Sequence, residues 1–181
     1  MRIISGSHKS RKIIAPKNLP VRPTTDLAKE SLFNILINNF DFEESVVLDL
    51  FAGTGNISYE FASRNCKEIT AVEQNFKCTG FIKETIQKLN FKNINVVKNN
   101  VFNFLKFTNK TYDIIFADPP YDLEGIDKIP ELIFRRQLLN KEGWLIIEHS
   151  KKTELGHLPH FTQQRKYGKI NFSVFCFSIN I

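Results

Sequence analysis

The chain of 181 residues, 42% hydrophobic and 24% charged, is long enough for one globular domain with its own core and rather short for two. No apolar run approaches the roughly 18 residues that span a bilayer, and none follows the N-terminal basic residue as in a signal peptide, so we expect neither. The three cysteines are widely spaced and the four histidines show no ligand spacing, which disfavours disulfides and metal sites and favours a cytoplasmic protein with reduced thiols.

The formal net charge of +6 is located at the N-terminal end of the chain. Residues 1–25 contain six basic and no acidic side chains, whereas the remainder contains 19 of each sign. A basic segment on a near-neutral body is typical of contacts with nucleic-acid phosphates, although a merely soluble arm would give the same count. We therefore predict a basic arm over residues 1–25 and a second unit over residues 26–181. The candidate phosphate contacts are Arg2, Lys9, Arg11, Lys12 and Arg22.

The arm and the segment after it predict an extension made of a β-hairpin and a helix. Two short runs, residues 2–4 and 11–15, are the predicted strands. A helix follows, because Thr25 or Asp26 is a good N-cap and apolar residues keep helical spacing from there to Phe40.

Beyond this extension, short apolar strands alternate with helices. The predicted strands are residues 46–50, 68–72, 95–98, 112–117 and 144–148, with a terminal hairpin near 162–167 and 170–179 around Gly168. The predicted helices are residues 57–63, closed near Asn65, a segment with apolar residues from Cys78 to Leu89, then 101–107, and 131–139 begun by Pro130. This alternation predicts an α/β fold with a mostly parallel sheet, helices on both faces, and a ligand site beyond the carboxyl ends of the strands.

A glycine-containing loop, Asp49-Leu50-Phe51-Ala52-Gly53-Thr54-Gly55, joins the first of these strands to its helix. Two glycines there let the backbone turn tightly and approach a ligand that a Cβ would block. A Gly-x-Gly pair also occurs in dinucleotide-binding enzymes, but Ser58 stands where their fingerprint has its third glycine. Glu73 closes the next strand and can accept hydrogen bonds from a ribose diol, which both NAD and S-adenosylmethionine contain.

Asp49, together with Phe51, distinguishes these two cofactors. In a dehydrogenase the corresponding loop contacts a pyrophosphate. An acidic side chain at the start of the loop would repel that group. S-adenosylmethionine instead carries a sulfonium and an α-ammonium group, and Asp49 would attract both positive charges. The loop therefore favours S-adenosylmethionine as the cofactor, with contacts predicted from Asp49, Phe51, Gly53, Gly55 and Glu73.

A rigid corner, Asp118-Pro119-Pro120-Tyr121, follows the strand at 112–117. An exocyclic amine of a nucleic-acid base is a poor nucleophile until its nitrogen approaches tetrahedral geometry. Acceptors at its N–H groups, here the Asp118 carboxylate and the Pro119 carbonyl, favour that geometry and the developing positive charge. Tyr121 offers a face on which the target base can stack. The methyl donor carries its own leaving group, so the reaction further requires proximity and orientation rather than a metal.

With both loops, the chain resembles class I methyltransferases, and over nearly its whole length it resembles the RsmD family. That family comprises bacterial methyltransferases acting on N2 of one guanine in 16S ribosomal RNA. The Arg-Pro-Thr-Thr-Asp stretch at 22–26 is the most family-specific segment. Asn56, Ser58 and Asn65 are small departures that affect the expected shape of the cofactor loop. The other matching segments are residues 1–6, 32–36, 49–55, 118–121 and 166–169.

The resemblance implies a Rossmann-like, mostly parallel seven-stranded sheet with the N-terminal β-hairpin and helix extension and a C-terminal antiparallel hairpin. It implies methylation of guanine N2 in 16S ribosomal RNA by a monomer, on RNA within an assembling small ribosomal subunit. The expected catalytic residues are Asp118, Pro119, Pro120 and Tyr121. In class I methyltransferases a polar side chain past the third strand often reads the adenine amine, here Asn100, although Asn99 is adjacent and either could cap the next helix.

Four alternatives can be weighed against this reading of the sequence. A DNA amino-methyltransferase acting on adenine N6 or cytosine N4 uses a similar corner, but here only the 25-residue arm remains for reading DNA sequence. A non-catalytic RNA-binding assembly factor is disfavoured by the intact Asp118, and a nicotinamide-dependent enzyme by Asp49 and Ser58. Protein glutamine methyltransferases prefer Asn in place of Asp118.

Overall fold

Strands and helices alternate along most of the chain in a computed structural model, which describes residues 1–16, 19, 25–168 and 170–177. The helices are α1 (Asp26–Leu36), α2 (Asn56–Ser63), α3 (Phe76–Leu89), α4 (Val101–Phe107) and α5 (Lys128–Arg135). The strands are β1 (Val46–Leu50), β2 (Glu68–Glu73), β3 (Ile94–Lys98), β4 (Tyr112–Ala117), β5 (Leu139–Ser150), β6 (Phe161–Tyr167) and β7 (Ile170–Phe175). None of the described helices is long and apolar enough to cross a membrane.

In the described part of the chain the strands form one seven-stranded sheet with the order β3-β2-β1-β4-β5-β7-β6. The first five strands in this spatial order, β3 to β5, pair in parallel, whereas β7 is antiparallel to both β5 and β6. This arrangement confirms the predicted α/β fold with a mostly parallel sheet and a C-terminal hairpin. After β3 the chain crosses to the far side of β1 to form β4, so the strand order reverses between β1 and β4. The loops that follow these two strands therefore meet at the position where such sheets bind ligands.

Side chains alternate between the two faces of the sheet, and each face has its own hydrophobic cluster. Val47 and Ile146 belong to the cluster that packs with α1, α2 and α3, whereas Leu48 belongs to the cluster that packs with α4 and α5. Asp49 and Glu148 stand two positions after Val47 and Ile146, so alternation places their side chains on the same face as these residues. Two buried carboxyls thus lie at the carboxyl edge of one face.

The two predicted strands of the basic arm form a single antiparallel bridge, between Arg2 and Lys12, rather than a ladder. Ile3 and Ile13 flank this bridge and are buried in the cluster that contains α1 and α2. The loop between them is held by α2, whose last carbonyl accepts a hydrogen bond from the Ser7 N–H at 2.7 Å. Tertiary contacts therefore replace most of the expected strand pairing.

Helix boundaries follow local signals in the first part of the chain. The Thr25 hydroxyl accepts a hydrogen bond from the Ala28 N–H at 3.3 Å and caps α1 as predicted. α1 ends at Leu36, before the predicted end at Phe40, and turns continue to residue 39. Asn65 has φ 63° and ends the turn after α2, which confirms its predicted role.

The prediction was wrong in the region of α5 and β5. α5 begins at Lys128, and Pro130 lies in its first turn, where a missing N–H breaks no intrahelical bond. Gln137, with φ 53°, ends the helical segment, and Leu139 belongs to β5. The polar residues 140–143 look like a loop in the sequence but are accommodated in β5 as an irregularity in its pairing with β4.

Candidate active site

A cavity of about 330 Å³ lies at the carboxyl ends of β1, β2 and β4. Its lining includes most of the residues that the sequence predicted for the site: Asp49, Phe51, Gly53, Glu73, Asn100, Asp118 and Pro120. Gly55, Pro119 and Tyr121 are predicted site residues that are not part of this lining. The fold thus brings the glycine loop and the Asp-Pro-Pro-Tyr corner to one cavity.

The backbone of the glycine loop is left-handed at three of five consecutive positions. Phe51, Gly53 and Gly55 have φ values of 60°, 55° and 79°. Gly55 is the N-cap of α2, and a Cβ on it would lie 2.7 Å from both Cζ and the hydroxyl oxygen of Tyr59. Gly55 therefore shapes the loop through its conformation and its close approach to Tyr59 rather than by lining the cavity.

Asp49 is a buried carboxyl at the base of the cavity, only 1% exposed. The Ser58 hydroxyl donates a hydrogen bond to its Oδ2 at 2.5 Å. Burial raises the pKa of Asp49 to about 7; the Ser58 hydrogen bond opposes this rise and the nearby Asp118 charge adds to it. The carboxyl is therefore close to half ionised at neutral pH, and a cation in the cavity would favour the ionised form. Sequence reasoning treated Ser58 only as a departure from a glycine pattern and missed this contact.

Glu73 connects the glycine loop to the start of α3. Its Oε2 accepts a hydrogen bond from the Gly53 N–H at 2.8 Å, and its Oε1 accepts one from the Asn75 N–H at 2.7 Å. Each carboxylate oxygen has a further lone pair, so these bonds leave room for hydroxyl donors from a ligand. Glu73 thus holds the loop in shape and also lines the cavity.

Asn100 has the capping role that the sequence left open as an alternative. Its side-chain oxygen accepts a hydrogen bond from the Asn103 N–H at 3.2 Å at the start of α4. Its amide group donates to Gln74 Oε1 at 3.4 Å, and both Asn100 and Gln74 line the cavity. Asn99, the other candidate, is not part of the lining.

The Asp-Pro-Pro-Tyr corner turns the chain outwards directly after β4. The Asp118 N–H donates to the Leu50 carbonyl at 3.4 Å, which ties the corner to the end of β1. Pro119 is buried, and the Pro120 carbonyl accepts a hydrogen bond from the Leu123 N–H at 2.9 Å. Tyr121 is 66% exposed, so much of its side chain is accessible from outside the cavity.

Glu148 is a residue of this region that sequence reasoning missed. Ala117 of β4 pairs with Ile147 of β5, so the next residues, Asp118 and Glu148, lie side by side at the ends of the two strands. Glu148 is only 3% exposed, and no described residue hydrogen bonds to its Oε2. Burial, together with the charge of Asp118, raises the pKa of Glu148 to about 8. In the sequence it looked like an ordinary strand-end acid, because the signal depends on which strand lies beside β5.

The basic arm presents cations on an exposed loop. Lys9, Arg11 and Lys12 are exposed and line an open depression formed by residues 7–12. Arg2 is also exposed, and its Nε pairs with Asp26 Oδ2 at 3.1 Å. Arg22, another predicted phosphate contact, lies outside the described residues. Among residues that the structure describes, no group of three or more His, Cys, Asp or Glu side chains could hold a metal ion.

The sheet order, the glycine loop after β1 and the Asp-Pro-Pro-Tyr corner after β4 together define a class I methyltransferase architecture. The family described as Conserved hypothetical protein 95 matches residues 1–176. The ribosomal RNA small subunit methyltransferase D of Buchnera aphidicola subsp. Acyrthosiphon pisum is 36% identical over 177 residues, covering 97% of this chain and 90% of that protein. The protein of the same name from Escherichia coli K12 is 33% identical over 159 residues, covering 88% and 79%.

A solved structure from Escherichia coli superimposes with a TM-score of 0.86 at 25% identity, covering 97% of this chain and 96% of that chain. The chain therefore belongs to the Conserved hypothetical protein 95 family, that of the ribosomal RNA small subunit methyltransferase D (RsmD) proteins. The resemblance seen in the sequence is confirmed.

Proposed function

We propose that this protein transfers a methyl group from S-adenosylmethionine to the exocyclic N2 amine of a guanine in 16S ribosomal RNA. The observation that carries the proposal is that one cavity contains both the buried Asp49 of the glycine loop and Asp118 of the Asp-Pro-Pro-Tyr corner. The names of the relatives support ribosomal RNA of the small subunit as the substrate class. We further propose that it acts as a cytoplasmic monomer on an assembling subunit.

The cavity fits S-adenosylmethionine in size and in charge. Its volume of about 330 Å³ lies within the range of small-molecule sites, roughly 300–1,000 Å³. Asp49 provides a buried negative charge for the cationic part of the cofactor, and Glu73 keeps acceptor capacity for ribose hydroxyls. When bound, S-adenosylmethionine supplies an electrophilic methyl group on its sulfonium.

The corner at residues 118–121 would prepare the amine. The Asp118 carboxylate and the Pro119 carbonyl accept hydrogen bonds from the amine N–H groups, which localises the nitrogen lone pair and stabilises the developing positive charge. Exposed Tyr121 provides a stacking face for a base turned out of its helix or loop. We assign Asp118, Pro119, Pro120 and Tyr121 to the reacting amine, and Asp49, Phe51, Gly53, Gly55, Glu73 and Asn100 to the cofactor.

The affinity for S-adenosylmethionine should rise with pH. Asp49, with a pKa of about 7, is mostly protonated at pH 6 and mostly ionised at pH 7.5, and only the ionised form attracts the cationic cofactor. We expect calorimetry to show a roughly eightfold tighter Kd at pH 7.5 than at pH 6. S-adenosylhomocysteine, which lacks the sulfonium charge, and the Asp49→Asn variant should both show a weaker dependence. An identical pH profile in Asp49→Asn, or binding of NAD in place of S-adenosylmethionine, would contradict the assignment.

We propose that residues 1–25 form an RNA-contacting arm on a methyltransferase domain of residues 26–181, with Arg2, Lys9, Arg11, Lys12 and Arg22 on phosphates. Replacing Lys9, Arg11 and Lys12 together with Glu should weaken RNA binding and reduce the slope of log K against log salt by about 2, since each lost phosphate contact contributes about 0.7. Filter binding over a salt series measures both quantities.

A matched control reverses three exposed cations that lie in α4, α5 and β5 rather than beside the arm: Lys106, Arg135 and Lys141. It has the same change in net charge, so a general electrostatic effect would weaken RNA binding equally in both variants. The arm is the contact surface only if its variant loses salt dependence and the control keeps it.

The proposed reaction is tested by mass mapping of modified bases in 16S ribosomal RNA from cells with and without this protein. We expect one N2-methylguanosine to be lost without the protein and restored when the purified protein and S-adenosylmethionine are added to the unmodified RNA or subunit. Labelled N6-methyladenine or N4-methylcytosine in DNA would instead identify a DNA amino-methyltransferase. RNA binding without any methyl transfer would identify a non-catalytic assembly factor.

A further inference from the structure

Glu148 is buried at the end of β5 without an evident structural partner for one of its oxygens. It is 3% exposed, and no described residue hydrogen bonds to its Oε2. A buried carboxyl oxygen that lacks a hydrogen-bond partner is costly, and a role in binding a ligand or in a reaction is one established reason why native proteins keep such a group. The position of Glu148 therefore needs a functional explanation.

Glu148 lies next to Asp118 but outside the lining of the cofactor cavity. The pairing of Ala117 with Ile147 sets Glu148 beside Asp118, yet Asp118 lines the cofactor cavity and Glu148 does not. Partial burial raises the pKa of Tyr121, and the charges of Glu148 and Asp118 raise it further, so Glu148 lies within electrostatic range of the proposed stacking residue.

The residues beside Glu148 on β5 and β7 contribute few other charged groups to its surroundings. On the adjacent strand β7, the residue paired with Glu148 is Phe172. His149 follows it on the opposite face of β5 and is bound to Ser173 Oγ at 2.8 Å. Among the described residues, the titratable groups that interact electrostatically with Glu148 are Asp118 after β4 and Tyr121 of the corner.

Hydrogen-bonding chemistry distinguishes guanine from the other amino bases at the ring position beside the amine. In guanine the N2 amine is adjacent to N1–H, a donor. In adenine and cytosine the ring nitrogen beside the amine, N1 or N3, carries no hydrogen and is an acceptor. A carboxylate next to the group that binds the amine would accept from guanine N1–H and would repel the lone pair of the other two bases.

We propose that Glu148 determines base specificity by accepting the N1–H of the target guanine while Asp118 and the Pro119 carbonyl bind its N2 amine. This inference rests on the proposed guanine-N2 reaction. It explains how a corner of four residues that suits any amino base is restricted to guanine. It also gives the buried carboxyl a hydrogen-bond partner at the moment the substrate is bound.

The test compares RNA carrying guanine at the mapped target position with the same RNA carrying 2-aminopurine, which keeps the 2-amino group but has an unprotonated N1. At pH 8.5, where Glu148 is mostly ionised, the wild-type protein should methylate the guanine RNA with about 10- to 100-fold higher kcat/KM, the range expected for one hydrogen bond to a charged group. The preference should be smaller at pH 7, because the protonated carboxyl can donate to the N1 of 2-aminopurine. Glu148→Gln should lose at least tenfold on guanine RNA. Its amide can donate to the N1 of 2-aminopurine, so its preference for guanine should fall below threefold.

Two further variants separate recognition from folding. Glu148→Asp keeps a carboxylate and should restore part of the guanine preference, whereas Glu142→Gln, an exposed acid near the start of the same strand, should behave like the wild type. Saturating S-adenosylmethionine removes the contribution of Asp49 to the pH profile. Because the ionised form of Glu148 is the acceptor, the kcat/KM for guanine RNA should then rise towards pH 8 in the wild type and lose that rise in Glu148→Gln.

An unchanged preference for guanine over 2-aminopurine in Glu148→Gln, whether or not its melting temperature falls, would overturn the inference and leave a structural role. The proposed function can fail separately: wild-type protein that leaves guanine RNA unmethylated and transfers methyl groups to adenine or cytosine would overturn both. A wild-type protein that methylates guanine and 2-aminopurine equally would overturn the inference alone.

Discussion

Replacement of Asp118 with Ala is expected to lower kcat for methyl transfer by about 10²- to 10³-fold, the effect of removing one group that stabilises transition-state charge. The variant loses the carboxylate that holds the amine, while the glycine loop, Glu73 and Asn100 remain in place around the cofactor cavity. The Kd for S-adenosylmethionine should therefore change by less than about threefold. Single-turnover transfer to target RNA, together with calorimetry, measures the two quantities.

Asp118→Asn is the matched control, because it keeps an oxygen acceptor and loses the charge. Its kcat should lie between those of the wild type and Asp118→Ala. Both variants remove a charge that raises the pKa of Asp49, so the midpoint of the pH dependence of cofactor binding should move to lower pH. A variant with lost cofactor binding and retained turnover would show that Asp118 belongs to the cofactor rather than to the amine.

The parts of the site that could be predicted from the sequence are those whose chemistry is local. The glycine loop and the Asp-Pro-Pro-Tyr corner each follow an apolar strand directly, and parallel strands bring their carboxyl ends to one edge. Asp49, Glu73 and Asp118 could therefore be placed near one ligand before any contact was known. Asn100 could not be resolved in this way, because a residue between a strand and a helix can cap the helix and face the ligand at once.

The parts that could not be predicted depend on contacts between distant segments. Glu148 acquires its environment only because β5 lies beside β4 in a register that aligns it with Asp118. Ser58 becomes the partner of Asp49 only once α2 packs over β1. The structure of the arm could not be predicted for the same reason. Its strand-like segments form one β-bridge and are otherwise held by contacts with α2 and the hydrophobic core.

A buried ion pair between Lys29 and Glu60 helps to hold the basic arm, and its removal is the change with the largest expected effect on stability. The Lys29 side chain is fully buried, and its Nζ bonds Glu60 Oε1 at 2.9 Å, Asn56 Oδ1 at 3.0 Å and the Arg2 carbonyl at 2.5 Å. Glu60 is also fully buried and accepts a hydrogen bond from the Ile4 N–H at 2.7 Å. This ion pair thus joins α1, α2 and the backbone of the basic arm. Arg64 also pairs with Glu60, at its Oε2. Lys29→Met should therefore lower the free energy of unfolding by about 3 kcal/mol, because it removes one of two cations from a fully buried carboxylate.

Urea unfolding measures this loss, and a double-mutant cycle identifies its origin. Both single variants, Lys29→Met and Glu60→Gln, lose the same Lys29–Glu60 pair, so the loss of stability in the double variant should be at least about 1 kcal/mol smaller than the sum of the two single losses. Lys67→Met removes an exposed pair with Glu44 instead and should cost less than about 1 kcal/mol.

Since the Lys29 pair also holds the arm through the Arg2 carbonyl, Lys29→Met should weaken RNA binding more than cofactor binding at temperatures where it remains folded. Strict additivity in the cycle, or a loss no larger than that of Lys67→Met, would show that burial of the pair contributes nothing beyond an exposed contact.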